Sequence, residues 1–391
     1  MQNFKVIEEK ILSISPFVKN VEISEDEKGY RATLYPNFEE LEKSNIINIE
    51  SELRWYAIEI YNFEVNDKDK IISYEIISHT NNLEDDKDIE SEDYTVLKLF
   101  LEKLSKKSVF LHSHLELDLG LDSIDYVELF IFIEQSFGII INEKIFSSVM
   151  IMSELYEYIE KNKKFVKSSD IGLQDILAET IDEELKYSPW IMFLYKTILF
   201  PLFKIYFRLE VKGEENIPKS ESIIAPSHQS MLDGFLIEAT LPYKILKNSF
   251  FLAYKNVFGT KLLKPIADNG QTILIDANED LKYTMQQCVL PLKNRSNLVI
   301  FPEGARSRDR ELLEFRPFFA MLSKIYNVPV VPVVIDGSFE ALRSGTSFPK
   351  PCKIKIKYLE PIYPDNLSVE DIVEKTKNEI AQEMKLNPVL I

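Results

Sequence analysis

The spacing of hydrophobic residues changes along the chain and predicts units of different architecture. Before residue 85, stretches with helical periodicity are interspersed with runs rich in β-branched and aromatic residues. The predicted helices are Lys5–Ser13 and a segment near Ser51–Tyr61, and the predicted strands are Val18–Ile23, Tyr30–Tyr35 and Ile71–Ile77. Residues 1–85 are therefore expected to form a small α+β unit.

A second unit, residues 94–164, has a helical pattern and lies between two acidic stretches. Most residues of Leu83–Asp93 are charged, and Ser168–Glu184 is also acidic. Charge runs of this kind are typical of solvated linkers. The sequence therefore predicts a helical bundle with a linker on either side.

Beyond residue 188, short β-branched runs alternate with helical stretches. The predicted strands are Ser222–Ala225, Phe250–Ala253, Gln271–Ile275, Asn297–Phe301, Val328–Ile335 and Lys353–Tyr358. Several of these runs are continuously apolar, as in strands that are covered on both faces. Residues 188–391 are thus expected to form an α/β domain with a largely buried sheet, ending in a helix from Ser368 to about Met384.

This third unit opens with an aromatic-rich segment, residues 188–208. Lys196, Pro201 and Lys204 interrupt it, whereas a helix that spans a membrane needs about 20 mostly apolar residues. Tryptophan and tyrosine at headgroup level, with snorkelling lysines, suit helices that lie in the membrane interface. We expect such interfacial helices here, and the alternative is a helix pair packed on the core of the domain.

Composition and charge separate the roles of these units. The 391 residues are 45% hydrophobic and include 11 glycines, which suits two or three domains with proper cores. Residues 1–187 carry 20 Lys+Arg against 40 Asp+Glu, and residues 188–391 carry 26 against 23. The acidic first part argues against nucleic acid as a partner. A basic excess in residues 188–265 would attract an anionic membrane surface or a phosphate-bearing substrate.

Two cysteines and the N-terminal sequence bear on location. Cys288 and Cys352 form neither a close-spaced metal pair nor a disulfide framework, which suits a reducing cytoplasm. The first residues lack the apolar core of a signal peptide. The expected location is cytoplasmic and peripheral, on the inner face of the cell membrane.

The helical unit contains the segment Leu119-Gly120-Leu121-Asp122-Ser123-Ile124, followed by an acidic amphipathic stretch. Residues 94–164 thereby resemble the acyl carrier protein family. The resemblance implies that a phosphopantetheinyl transferase esterifies Ser123 with 4′-phosphopantetheine, whose thiol holds an acyl group as a thioester. A serine at a helix N-terminus suits the added phosphodiester. The alternative is that Asp122 or Ser123 only caps a helix.

The first unit resembles, through Tyr30–Pro36, the small C-terminal lid of AMP-forming acyl-acid ligases. Such lids usually carry a catalytic lysine in a turn, but the corresponding segment Thr80–Glu84 has leucine and glutamate at its last two positions. We expect residues 1–85 to be a relic or docking unit without ligase activity, and a separate acyl-acid ligase to be a further partner. An unrelated α+β domain is the alternative.

After His114, the chain contains a single histidine, His228, which precedes Asp233 by five positions. An imidazole that is half-protonated near neutral pH suits a general base, and a nearby carboxylate can hold it in one tautomer. Residues five apart on a helix point about 140° apart. The two can therefore meet only if His228 lies in the turn before the predicted helix Leu232–Thr240. A structural histidine and a helix-capping Asp233 are the alternatives.

A second polar segment follows in Phe301-Pro302-Glu303-Gly304-Ala305-Arg306-Ser307. Its Phe-Pro-Glu-Gly sequence and the earlier His-x-x-x-x-Asp together resemble the signatures of the glycerolipid acyltransferase family, which includes 1-acylglycerol-3-phosphate and lysophospholipid acyltransferases. The resemblance implies that His228 and Asp233 are catalytic and that Glu303, Gly304 and Arg306 bind the substrate. A guanidinium can donate bidentate hydrogen bonds to phosphate. The alternative for Arg306, and the expectation for Arg308 and Arg310, is a solvated basic loop.

Two positions depart from the family pattern. Ala277 stands where many members have an arginine that helps to bind glycerol phosphate, and Ala305 stands where threonine is common. Ala277 favours an acceptor with a larger headgroup than lysophosphatidic acid has.

The predicted protein combines a small α+β unit, a helical carrier bundle and an α/β acyltransferase domain. We expect a membrane-associated O-acyltransferase that transfers a fatty acyl group from a thioester, on acyl carrier protein or coenzyme A, to a lysophospholipid or glycerol-phosphate hydroxyl. The alternatives are a non-catalytic carrier that delivers acyl groups, and an acyltransferase of an amino-lipid or secondary-metabolite pathway.

Overall fold

The chain divides into two compact units. The computed structural model describes residues 2–26, 29–44, 46, 48–66, 69–78, 91–139, 149–163, 184–255, 264–275, 281–307, 310–343 and 348–386. One unit comprises residues 1–179 with 277–283, and the other comprises residues 180–276 with 284–391. The segments predicted as 1–85 and 94–164 thus share one compact unit. The predicted linkers and Thr80–Glu84 lie largely outside the described residues.

The first unit begins with an α+β part built on three strands. Strands β1 (Val18–Asp26) and β2 (Gly29–Pro36) are antiparallel, and β2 pairs in parallel with β3 (Ile71–Ile76). The helices are Gln2–Ile14, Phe38–Lys43 and a continuous helical stretch formed by Ile49–Leu53, Arg54–Glu59 and Ile60–Glu64, whose middle part is π-helical. Their apolar side chains pack with those of the strands in one core. All helices and strands predicted for this part are present.

The described residues 91–163 of the first unit contain helices and no named strand, as the sequence predicts. The described helices are Glu92–Ser105, Ser123–Phe137 and Met152–Asn162. Each of the three helices has two fully buried aliphatic side chains: Leu97 and Leu101, Leu129 and Ile133, and Leu155 and Ile159. Phe100 and Phe132 stack with ring centroids 3.9 Å apart, which joins the first helix to the second.

The second unit is built on a mixed seven-stranded sheet. Its strands are β4 (Glu210–Lys212), β5 (Ile223–Pro226), β6 (Ser249–Tyr254), β7 (Thr272–Ile275), β8 (Asn297–Val299), β9 (Val330–Asp336) and β10 (Lys355–Tyr358). Their order is β4-β10-β9-β5-β8-β6-β7, and only β9 and β10 are antiparallel neighbours. Every residue of β5, β8 and β9 is buried. This sheet confirms the predicted α/β class, whereas β4 was not predicted.

Eight α-helices in the described part of the second unit accompany the sheet, together with a short 3₁₀ helix at Glu214–Asn216. The α-helices are Pro189–Tyr206, Asp233–Thr240, Tyr243–Leu246, Lys264–Asn269, Leu281–Lys293, Phe318–Tyr326, Ser338–Ala341 and Val369–Leu386. The last helix begins where the sequence predicts. Ser368 N donates to Asp371 Oδ2 at 2.9 Å and Asp371 N donates to Ser368 Oγ at 3.0 Å, which forms a reciprocal cap.

The segment expected to form interfacial helices is one helix, Pro189–Tyr206, which continues through Pro201. Met192 and Phe203 bury one side of it in the core of the unit. Its other side exposes apolar residues, with Trp190 75% and Ile205 81% exposed. Among the described helices, none has the length and apolar character needed to cross a bilayer.

Candidate active site

Two loops that follow adjacent parallel strands form the candidate site. Strands β5 and β8 pair in parallel, with Ile223 opposite Leu298 and Ile224 opposite Val299. Their carboxyl ends therefore meet at the same edge of the sheet, which is where α/β proteins commonly bind ligands. The loop after β5 carries His228 and the loop after β8 carries Glu303. Parallel pairing thus brings together segments about 75 residues apart in sequence.

The loop after β5 places His228 beside Asp233. His228 lies between the end of β5 and the helix that begins at Asp233, in the turn that helical geometry predicts. His228 Nδ1 and Asp233 Oδ2 are 2.9 Å apart. The carboxylate favours the tautomer with the proton on Nδ1, in which Nε2 is the basic nitrogen.

Asp233 also organises the backbone of this loop. Its Oδ2 accepts hydrogen bonds from Gln229 N at 2.7 Å and Ser230 N at 2.8 Å. The residue is completely buried, while the His228 side chain is 20% exposed. Capping and imidazole binding are therefore compatible roles for one carboxylate. The arrangement joins a fixed acid to a base that solvent or substrate can reach.

Glu303 connects the two loops through the backbone. Its Oε1 accepts from His228 N at 2.7 Å, and its Oε2 accepts from Leu313 N at 2.9 Å. Burial raises the pKa of Glu303 to about 8, although both backbone hydrogen bonds oppose this rise. The sequence assigns Glu303 to substrate binding, but both oxygens are occupied by backbone donors. Their geometry favours a positioning role.

Gly304 and Arg306 lie at the corner next to Glu303. Gly304 has a left-handed φ of +62° and donates from its N–H to Phe301 O at 3.1 Å, so the chain turns sharply there. Ser307 N then donates to His228 O at 2.9 Å. This second connection to the His228 loop holds the backbone next to Arg306 at the same corner. Arg306 is half-buried there.

Arg310 has partners that the sequence did not indicate. Its guanidinium lies 3.3 Å from Asp336 Oδ1 and 3.2 Å from Glu340 Oε1. Its carbonyl oxygen accepts from Gln229 Nε2 at 3.0 Å. A solvated basic loop therefore does not describe Arg310. Its side chain and backbone anchor the loop after β8, while Arg308 and Ala277 lie outside the described residues.

Lys196 is a second residue whose role the sequence did not reveal. Instead of snorkelling to headgroups, its Nζ donates to Ala239 O at 3.0 Å and Leu241 O at 2.6 Å. These carbonyl groups lie at the end of the helix that begins with Asp233. Burial lowers the pKa of Lys196. The residue thus caps the Asp233 helix from the exposed apolar helix.

Ser123, the other predicted site residue, belongs to the first unit. It is the first residue of the helix Ser123–Phe137. Asp122 Oδ1 accepts from Asp125 N at 3.1 Å, and Asp125 Oδ2 accepts from Asp122 N at 2.9 Å.

Within the described residues of both units, no group of three or more His, Cys, Asp and Glu side chains is placed to hold a metal ion.

Comparison with known proteins shows which proteins the second unit is similar to. Residues 208–336 match the family model described as Acyltransferase. The 1-acyl-sn-glycerol-3-phosphate acyltransferase of Limnanthes douglasii is 30% identical over 172 residues, which cover 43% of this chain and 59% of that protein. The protein of the same name from Saccharomyces cerevisiae is 30% identical over 198 residues, which cover 46% of this chain and 62% of that protein.

A solved structure gives a weaker likeness. The 1-acyl-sn-glycerophosphate acyltransferase PlsC from Thermotoga maritima aligns with a TM-score of 0.45 and 23% identity, over 53% of this chain and 83% of that chain. The chain spans about three fifths of the length of the two curated relatives named above. The carrier resemblance of residues 94–164 and the ligase-lid resemblance of residues 1–85 stay predictions. Residues 208–336, which contain His228, Asp233 and Glu303, match the Acyltransferase family model and are similar to the 1-acyl-sn-glycerol-3-phosphate acyltransferases.

Proposed function

We propose that this protein transfers a fatty acyl group from a thioester to a hydroxyl of a lysophospholipid or glycerol phosphate. The observation that carries the proposal is the 2.9 Å contact between His228 Nδ1 and Asp233 Oδ2 within the acyltransferase domain. A histidine held by a buried carboxylate is suited to remove a proton from a hydroxyl near neutral pH.

The chemistry uses His228 twice. Its Nε2 removes the proton of the acceptor hydroxyl, and Asp233 stabilises the imidazolium that forms. The hydroxyl oxygen forms a bond to the thioester carbonyl carbon, and the carbon–sulfur bond then breaks. The leaving thiolate receives the proton from Nε2, which returns His228 to its neutral form. No covalent intermediate on the protein is needed.

Arg306 is the residue that we assign to the phosphate of the acceptor. It adjoins Ser307, whose N–H binds the carbonyl oxygen of His228. A guanidinium at this corner would hold a phosphate near the hydroxyl that His228 deprotonates. Glu303 and Gly304 would shape the corner instead of contacting the substrate. The departure at Ala277 leads us to propose a lysophospholipid headgroup larger than phosphate alone.

We further propose that Ser123 carries 4′-phosphopantetheine, which supplies a thiol that holds the acyl group as a thioester. Ser123 begins a helix, so an attached phosphodiester would lie at the positive end of the helix dipole. The capping role at this helix start is filled by Asp122, which accepts from Asp125 N at 3.1 Å. A serine is therefore not required there as the cap. Coenzyme A or a free acyl carrier protein are the other possible donors.

Intact mass spectrometry tests the carrier role. After co-expression with a phosphopantetheinyl transferase, the wild type should gain the mass of one phosphopantetheine, while Ser123→Ala should gain none. An identical modification state in the two proteins would refute this part of the proposal.

The helix Pro189–Tyr206 is the surface that we assign to the membrane. Its exposed side contains the apolar residues Trp190, Phe193, Leu194, Ile198, Leu202, Ile205 and Tyr206. Apolar surface of this kind with aromatic residues suits the boundary between headgroups and acyl chains. The basic excess in residues 188–265 would add attraction to anionic lipids. The acceptor lipid would then reach the site from the membrane surface.

An acyl-transfer assay with purified protein tests the whole proposal. Donors would be acyl-coenzyme A and an acylated carrier protein, and acceptors would be a panel of lysophospholipids, glycerol 3-phosphate and amino-lipids. Transfer to a lysophospholipid or to glycerol phosphate is the expected result. Transfer only to amino-lipids would move the protein to a different pathway. No transfer with any pair would favour a non-catalytic carrier.

A further inference from the structure

The loop that precedes the Ser123 helix makes a charged contact with the α+β part of the same unit. Glu116 is 9% exposed, and its two carboxylate oxygens accept separate backbone hydrogen bonds. Oε2 accepts from Ile49 N at 2.9 Å, and Oε1 accepts from Glu50 N at 2.8 Å. Both donors lie in the first turn of the helical stretch from residue 49 to residue 64.

Glu116 supplies hydrogen-bond acceptors for N–H groups that have no partner within the helical stretch. The first N–H groups of a helix have no partner within the helix, and a negative charge near them is favourable. Asn48 accepts from Ser51 N at 3.1 Å. The N–H groups of Ile49 and Glu50 are bound by Glu116, which lies 67 and 66 residues further along the chain. Removal of this carboxylate would leave one buried and one partly buried N–H group without an acceptor.

Residues close to Glu116 make further contacts between the helical part and the α+β part. Asp118 accepts a hydrogen bond from Ser78 Oγ, and the rings of His114 and Phe38 lie 5.5 Å apart. Leu117 and Met150 pack against the apolar core of the α+β part. The contact therefore combines charge, hydrogen bonds and apolar surface.

The loop also has internal bonds that hold it in the docked form. His114 N donates to Asp118 Oδ2 at 2.7 Å. Glu116 N and Leu117 N both donate to His114 Nδ1 at 3.2 Å. A loop with fixed geometry loses little conformational entropy when it docks. These bonds within the loop therefore hold Glu116 in the position from which it binds the helix start.

We infer that residues 2–78 are the permanent docking partner of the helical part, residues 91–163, which they bind through the loop 113–119. The two parts move as one body, and this face of the helical part is closed to other proteins. The inference does not depend on acyl transfer, and it gives residues 1–85 a present role.

Cleavage of the full-length protein between the two parts tests this inference. A specific protease site is introduced within residues 79–90, the protein is cut, and the products are followed by native mass spectrometry and size exclusion over a dilution series. The wild-type fragments should remain together after the cut. Separation of folded wild-type fragments at micromolar concentration would overturn the inference.

Glu116→Gln identifies the contact responsible. The amide keeps the size of the side chain but presents an N–H₂ group to one of the two backbone donors. Dissociation of the cut fragments should increase about tenfold or more, as expected for loss of a charged helix cap. Glu157→Gln is the matched control, because Glu157 is an exposed carboxylate that pairs only with Lys161 among the described ion pairs. Equal dissociation of the two variants would contradict the inference.

Hydrogen exchange in the uncut protein tests the Glu116 contact without separating the two fragments. Glu116→Gln should exchange the amides of Ile49 and Glu50 faster, while the amides of β2 keep their protection. Unchanged exchange at Ile49 and Glu50 would show that Glu116 does not hold this helix start. Loss of protection throughout the α+β part would instead show that Glu116 supports its folding and is not a docking contact.

Discussion

Lys196 Nζ lies 2.6 Å from the carbonyl oxygen of Leu241, which ties the exposed apolar helix to the helix that begins with Asp233. A second bond to Ala239 O, at 3.0 Å, completes the cap. The same helix that we assign to the membrane is therefore bonded to the C-terminal end of the helix that begins with Asp233. Membrane contact and alignment of His228 with Asp233 would be linked through this lysine.

Lys196→Met is expected to lower stability and turnover without weakening membrane binding. The variant leaves two carbonyl groups without their charged donor, which costs about 1–2 kcal/mol. Thermal unfolding and kcat measure the effect, and co-sedimentation with anionic vesicles measures the binding.

Lys204→Met is the control, because Lys204 is an exposed lysine on the same helix. It should lower binding to anionic vesicles slightly and leave the unfolding temperature unchanged. If Lys196→Met instead reduces vesicle binding at unchanged stability, then Lys196 serves the headgroups and the proposed link is wrong.

Charges on the apolar side of this helix should detach the protein from membranes. Trp190→Glu together with Ile205→Glu replaces two of its most exposed apolar residues. Each should remove roughly 1–3 kcal/mol of apolar contact with lipid, so vesicle binding should fall at least tenfold. Phe348→Glu is the control, since Phe348 is an 83% exposed apolar residue outside this helix. Equal losses from the helix variant and the control would refute a specific membrane surface.

Glu303→Gln should lower kcat more than it changes the KM of the acceptor. The amide cannot accept from both His228 N and Leu313 N, so the loop of His228 loses one support. A fall in kcat of about tenfold or more with acceptor KM within about twofold is expected for a positioning residue. A large rise in acceptor KM at unchanged kcat would show that Glu303 contacts the substrate.

The pH dependence of stability provides a second test, which concerns the burial of the Glu303 side chain. Burial raises its pKa to about 8, above the value near 4.5 of a free glutamate. The folded protein therefore retains a proton that the unfolded chain loses, and this contribution to the free energy of unfolding falls as the pH rises from about 4.5 to 8. Urea unfolding of wild type and Glu303→Gln across this range should show the decline in the wild type and less of it in the variant.

Glu238→Gln is the matched control for that substitution. Burial also raises the pKa of Glu238 to about 8, and Glu238 has no described hydrogen bond to the loop of His228. The control should weaken the same pH dependence of stability while kcat stays near the wild-type value. If both variants lower kcat equally, the effect on turnover comes from a general change in the fold and not from the His228 loop.

Local geometry made some of this structure predictable from sequence. A histidine five positions before an aspartate can meet it only from the turn before a helix, and His228 lies in that turn. Short runs rich in β-branched residues predicted six of the seven strands in the sheet, but the three residues of β4 are too few to give a pattern. The predicted start of the last helix at Ser368 is also confirmed, because the two capping partners, Ser368 and Asp371, are only three positions apart.

The unpredicted features depend on residues that are far apart in sequence. Glu303 binds the backbone of His228, Lys196 binds that of Leu241, and Glu116 binds that of Ile49. A carboxylate or ammonium group that binds a backbone atom leaves no residue pattern at its partner. For this reason, a lysine inside an apolar segment predicts a snorkelling residue from sequence alone. The contact becomes visible only when the packing of the helices is known.

His228→Ala gives the most direct test of the proposed acyl transfer. The variant should lower kcat for acyl transfer to a lysophospholipid by about 10³-fold or more, because the acceptor loses its general base. His112→Ala, an exposed histidine in the other unit, should leave kcat unchanged. Acyl transfer by His228→Ala at the wild-type rate, with the fold intact, would contradict the central claim.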